Sequence, residues 1–190
     1  MAQLKSGEVE REAVRMAVAM MASSARTAPK ARGVDAIKTM VIDGNDLELL
    51  AGAMEDKAKE QPAYLAPIFP RDAQNVRNSS SVLLIGVSGA PKVIKEPLDC
   101  GACGHGTCER LLKARKQEGK DFTGPVCILQ ALDLGIALGS AVKLASELSM
   151  DNRMMYTIGA AARKLKLLDC DVIIGIPLSV AGKNIYFDRQ

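Results

Sequence analysis

Tryptophan is missing from this chain, and its 190 residues include only three tyrosines and three phenylalanines. A core must therefore be packed from Ala, Leu, Ile, Val and Met. A dominant charge sign is missing too: 25 basic residues stand against 22 acidic ones, for a net charge of +3. That near-balance carries no nucleic-acid footprint. A membrane span needs ~20 apolar residues, and the run Met16–Ala22 has far fewer. The stretch Met16–Ala22 looks like a signal-peptide core, but Arg15 interrupts it and the upstream flank Glu8-Val9-Glu10-Arg11-Glu12 is acidic. Those flanks argue against secretion or membrane insertion. Clustered thiols persist in a reducing compartment, and a cytoplasmic location is expected.

What is present is an ordinary apolar fraction, 48%, enough for one domain or a domain with a small inserted module. Residues 7–25 read as a buried helix rich in Ala and Met, ended by Pro29 and Gly33. A strand is expected over 38–42 and a helix from Asn45 or Asp46 to about Lys59. Pro62, Pro67 and Pro70 predict a loop, followed by a turn or two of helix over 72–78. Ser81–Val87 and Asp171–Pro177 are β-branched apolar runs, as expected of strands covered on both faces. Between them fall the cysteines, a Gly- and Ala-rich helix over about 128–148, and a helix from Asp151 to about Leu168. Helices alternating with doubly buried strands imply an α/β (α+β) sandwich. Its core is formed by 1–97 and 128–190, with a module inserted at 98–127.

Four of the five cysteines form one C-x2-C-x4-C-x18-C array: Cys100, Cys103, Cys108 and Cys127. Three thiols crowded into nine residues leave one over if they pair as disulfides. Soft thiolates in fours select zinc or an iron–sulfur cluster. Structural zinc sites usually present two C-x2-C knuckles, and this chain has one. The three-plus-one grouping favours a [4Fe–4S] cubane, with a zinc-stapled structural domain as the alternative. Gly101, Gly104 and Gly106 permit positive φ and let backbone N–H groups turn toward sulfur. His105, the only histidine, reads either as a substitute ligand or proton donor or, since four cysteines already suffice, as an exposed loop residue. Cys170 has no nearby thiol and reads as a small buried hydrophobe. Asp151-Asn152-Arg153 reads equally as a substrate or partner contact and as a helix cap. The Met pairs at 20–21 and 154–155 read as core filling.

Residues 99–127, with the pattern Cys-x2-Cys-Gly-x3-Cys and a later cysteine, resemble the four-iron domain of ion-pumping ferredoxin-oxidoreductase complexes and of the corrinoid iron–sulfur subunit of acetyl-CoA synthesis. Arg26–Asp35, the cysteine module, Asp133–Ala141, Asp151–Arg153 and the tail Gly182–Arg189 resemble an uncharacterised prokaryotic family described as ferredoxin domain-containing (DUF2148). That resemblance implies a cluster and names no substrate. It fits an oxidoreductase, or equally a non-enzymatic electron carrier or cluster-sensing partner protein. The counterpart is then a redox partner protein or a small-molecule acceptor.

The order of elements, from a buried Ala-rich helix leading into Ala28-Pro29 to a last strand followed by Lys and Arg, is similar to nitroreductase-type flavoproteins. That similarity implies a homodimer with FMN at its interface. Arg26, Lys30, Arg32, Lys183 and Arg189 would face its phosphate, and Gly135 and Gly139 would let a helix backbone approach the ring. The Arg-x-Ser-x-Arg segment of those flavoproteins has no counterpart before residue 26. The plainer alternatives are a helix–helix seam of Ala131, Gly135 and Gly139, and a solvated basic surface.

Overall fold

The computed structural model describes residues 3–92 and 95–187. In chain order its helices are α1 (Ser6–Thr27), α2 (Asp46–Ala58), α3 (Ile68–Arg77), α4 (Cys108–Lys113), α5 (Ile128–Glu147) and α6 (Tyr156–Lys164). The strands are β1 (Ile37–Asp43), β2 (Ser81–Val87), β3 (Gln117–Glu118), β4 (Thr123–Gly124), β5 (Asp151–Asn152) and β6 (Val172–Ser179).

One sheet, ordered β1-β2-β6-β5, is antiparallel throughout, with Leu83 opposite both Val41 and Ile176. All seven residues of β2 are buried, because helices cover both faces. Alternation divides its side chains. Val82 and Leu84 pack toward α2, α3 and α6, whereas Leu83, Ile85 and Val87 pack toward α1 and α5. A doubly covered sheet is usually parallel. Here both faces are covered although every pairing is antiparallel.

α6 lies very close to β6. A Cβ added at Gly159 would stand 1.7 Å from the Ile173 carbonyl oxygen, and one at Gly175 would stand 2.0 Å from the Ile158 side chain. α5 is long and apolar enough to cross a membrane by length and composition alone. One of its faces, with Leu134, Ala137, Leu138, Ala141 and Ala145, is buried in the core beneath α1. The outward face leaves Ile128, Leu132 and Ile136 exposed.

Three local expectations change. α3 begins at Ile68, earlier than expected, because Pro70 sits in the first turn, where its missing N–H breaks no helical hydrogen bond. The helix expected from Asp151 begins only at Tyr156, and Asp151 and Asn152 instead pair with Ser179 and Leu178 as an edge strand. They cap nothing. Each Met pair splits: Met21 and Met155 are buried, whereas Met20 and Met154 are exposed.

Candidate functional site

The segment from Leu98 to Cys127 leaves the sheet after β2 and returns at the first turn of α5. It carries α4 and the β3–β4 hairpin. Its two stems are fastened to the core by polar contacts. On the outgoing stem, the buried Lys92 ammonium donates to Asp133 on α5 at 2.5 Å and also to the Val34 carbonyl. Gln130 donates to the Ala90 carbonyl at 3.0 Å. On the returning stem, Thr123 N–H donates to the Asp171 carbonyl at 3.0 Å, and Cys127 N–H donates to the Gly89 carbonyl at 2.8 Å. The Asp171 carboxylate accepts from Gly89 N–H at 2.6 Å and from Lys116 at 2.5 Å, tying hairpin and sheet together. Gly89 has no room for a side chain, because a Cβ there would meet the Pro125 carbonyl oxygen at 2.9 Å.

All five cysteines are free thiols. Cys127 is buried just before α5, Cys103 and Cys108 are half-buried, and Cys100 is exposed. The loop between them turns on left-handed residues: Gly101 at φ 73°, Gly104 at 81° and Gly106 at 75°, preceded by Asp99 at 45°. Asp99 accepts the Cys108 N–H at 2.7 Å, closing the loop on itself. A backbone hydrogen bond from Asp99 favours the Cys108 thiolate. Burial, the Asp99 carboxylate and the neighbouring Cys127 outweigh it and hold the thiol above its ordinary range. Among the described residues, no three His, Cys, Asp or Glu side chains converge on one metal position. His105 is half-buried rather than fully exposed. A soft-donor set on a glycine-turned loop with a fixed fourth thiol has the chemistry that iron–sulfur ligation requires. Cys170 packs against Gly86 on β2, and burial pushes its thiol up to about 11.

The residues considered for a flavin divide. Lys30 folds back to cap the C-terminal end of α1 through the Ala25 and Arg26 carbonyls. Arg26 donates to the Ile37 carbonyl at 3.0 Å, and both cations share Asp35. These charges are used within the chain. Arg32 is exposed, with left-handed backbone at φ 59°. Its loop is held against α5 by the Ala31 N–H bond to Asp133 at 2.9 Å. Gly135 and Gly139 lie on the outward face of α5, with nothing within 4 Å of where a Cβ would stand. They are therefore not a seam against another helix of this chain. Lys183 is exposed in the segment after β6. Arg189 lies outside the described residues.

Two clefts flank the hairpin. One, of about 740 Å3, is lined by His105, Arg110, Lys113, Arg115, Phe122 and Pro125, among others. The other, of about 500 Å3, holds an ionic network. In it the buried Lys57 contacts Glu60 at 2.6 Å and Asp121 at 3.1 Å. Asp121 also accepts from Tyr156 and from Gln61. Burial raises the Asp121 carboxyl, but hydrogen bonds from Tyr156, Lys57 and Gln61 outweigh it and leave it below the usual range. Hydrogen bonds from Lys57 and Lys164 bring Glu60 down to about 2.

The stem contacts of Lys92, Asp133, Lys116 and Asp171 were not legible in the sequence. The one signal for them was a carboxylate, Asp133, interrupting the apolar face of α5.

Comparison with known proteins bears on the fold and the family. Solved structures of similar fold include a nitroreductase with bound FMN from Desulfitobacterium hafniense DCB-2 (13% identity, 88% of this chain and 78% of that one, TM-score 0.56). They also include a putative nitroreductase in complex with FMN from Desulfovibrio desulfuricans (12% identity, 100% and 81%, TM-score 0.53). At such identities the likeness shows the fold, which is a nitroreductase-like α/β fold. A family model described as an uncharacterized protein containing a ferredoxin domain matches residues 123–189. An uncharacterized protein of Archaeoglobus fulgidus is 45% identical over 186 residues, covering 98% of this chain and 97% of its own. The chain belongs to this family of uncharacterized proteins that contain a ferredoxin domain, DUF2148.

Proposed function

We propose that the protein is a redox protein that holds one [4Fe–4S] cluster on Cys100, Cys103, Cys108 and Cys127. The observation that carries this reading is the loop of three left-handed glycines between free thiols, joined to a fourth thiol whose backbone is pinned to the sheet. The ferredoxin-domain description of the family supports a redox role. When bound, such a cluster supplies one-electron chemistry. The residues of this chain would hold it: the stem contacts fix Cys127, and the loop would supply Cys100, Cys103 and Cys108. Asp99 accepts the Cys108 N–H, and the left-handed turns at Gly101, Gly104 and Gly106 would let other N–H groups turn toward sulfur. A bound cation would favour the Cys108 thiolate against the burial that raises its pKa.

A second reading adds FMN at the interface of a homodimer. It is supported by the FMN-bound proteins of similar fold and by the open backbone at Gly135 and Gly139 beside the exposed Leu132 and Ile136. Arg32 is the candidate for its phosphate, because Arg26 and Lys30 are already engaged. Whether the protein turns over a substrate or carries electrons for another enzyme follows from that cofactor.

Anaerobic absorption and EPR spectroscopy with metal analysis, on iron-replete protein, test both readings. Broad charge-transfer absorption with about four irons per chain is the expected result for the cluster, and a resolved flavin band is expected if FMN is present. A colourless protein with one zinc per chain would instead establish a structural staple.

A further inference from the structure

The groove between α4 and the β3–β4 hairpin has less internal charge pairing than its neighbour. In the cleft on the other side of the hairpin, Lys57 is matched by Glu60 and Asp121, Lys164 by Glu60, and Arg163 by Glu118. Those three cations are paired within the chain, while Lys120 and Lys166 line the same cleft without a carboxylate partner among the described residues. Around the groove, Arg110 and Arg115 are exposed, and neither guanidinium has a carboxylate partner among the described residues. Lys113 shares only the exposed Glu109 at 2.5 Å, a pair of little strength in water. The floor is apolar and stiff, because the Phe122 ring stands edge-on to Tyr156 at 5.1 Å between centroids. The rim also adjoins the cysteine loop. An Arg110 guanidinium nitrogen lies 3.8 Å from where a Cβ on Gly106 would stand, and His105 reaches into the same groove.

We propose that this groove is the docking surface for a small electron-carrier protein with an acidic face. The proposal rests on the cluster reading above and names the partner of that same site. The cations lie along α4 and the turn after it and do not converge on one buried point, which suits a row of carboxylates better than a single small anion. Such encounters are steered by complementary charge, bury little surface and weaken steeply with salt. Docked there, the partner's reduced centre gives up one electron and the cluster held by this chain gains one. No bond forms or breaks.

The test titrates the full iron-replete chain anaerobically with a small acidic two-cluster ferredoxin, reading Kd and, in the same samples, iron content. Kd is expected to rise at least about tenfold between low and physiological ionic strength. Arg110→Glu and Arg115→Glu are each expected to weaken binding by about three- to tenfold. Lys166→Glu, in the other cleft, is expected to leave Kd unchanged. Arg115 lies beyond the end of α4 and outside the Cys100–Cys108 loop, so it remains informative if Arg110→Glu disturbs the loop. Charge reversals that leave Kd unaltered at full iron content overturn the docking surface, as does displacement of ferredoxin by inorganic phosphate at matched ionic strength. Wild-type chain that takes up no iron overturns the cluster reading instead, and the iron assay reports that independently of Kd.

Discussion

Ser81–Val87 and Cys100–Cys108 are segments of similar length built on opposite principles. In β2 every side chain is buried, and each contributes apolar contact to one of two cores. In the cysteine loop most residues are exposed or half-buried, the backbone turns through positive φ, and few side chains pack. The strand is held by what its side chains exclude from water. The loop is held at its ends, by Lys92–Asp133 on one stem and by Asp171 with Gly89 on the other, which leaves its middle free to follow a ligand. A rigid frame with a tethered loop is a physically sensible way to carry a cluster, because the two packed cores include none of the four thiols.

Five experiments press on that contrast. The largest effect is expected from Cys103→Ser, which should abolish stoichiometric iron binding while the far-ultraviolet circular dichroism of the core persists. Retention of iron would show that the loop is not what holds it. Asp133→Ala strands the Lys92 ammonium in a buried site and should cost about 3–5 kcal/mol in urea unfolding, with much of the loss recovered by the Lys92→Met/Asp133→Ala pair. Failure of that recovery would mean that the stem depends on Asp133 contacts other than this ion pair. Gly159→Ala drives a methyl into the Ile173 carbonyl and should cost about 1–3 kcal/mol without changing iron content, since it strains the frame and spares the loop. Smaller still is an acid effect. Glu60 is held at about 2 against an ordinary 4.5, and Asp121 is also depressed. The stability they contribute is present above about pH 4.5 and fades as pH falls toward 2. With the Glu60 side chain 43% exposed, that contribution should stay under about 1 kcal/mol, as read by denaturant midpoints across this range. The smallest effect is expected from Cys170→Ser, which should leave iron content unchanged. In the wild type that thiol, pushed up to about 11, should alkylate slowly at neutral pH.

Much of the frame could be read from residue pattern alone. The apolar run Val82–Val87 announced a strand covered on both faces, and Pro29, Gly44 and the cap at Asn45 marked element ends within a residue or two. The reading went astray where tertiary contact outweighed local preference. Asp151 and Asn152 have good capping chemistry, yet the edge of β6 offered backbone partners and took them into a strand. Gly135 and Gly139 looked like a packing seam, but the direction they face depends on which side of α5 meets α1, and spacing alone does not reveal that. The cationic residues near position 30 looked available. Lys30 instead returns to the end of its own helix.

What the sequence determined by itself was the chemistry on offer: four thiols in a three-plus-one array, glycines where the chain must turn left-handed, and strands apolar enough to need cover on both sides. Such features follow from residue type and local spacing. What only the tertiary structure decided was which charges remain unmatched. Lys92 and Asp133 lie 41 residues apart and neutralise each other in the interior, whereas Arg110 and Arg115 find no carboxylate among the described residues and face water. Coulombic pairing depends on distance in space, and the fold sets that distance.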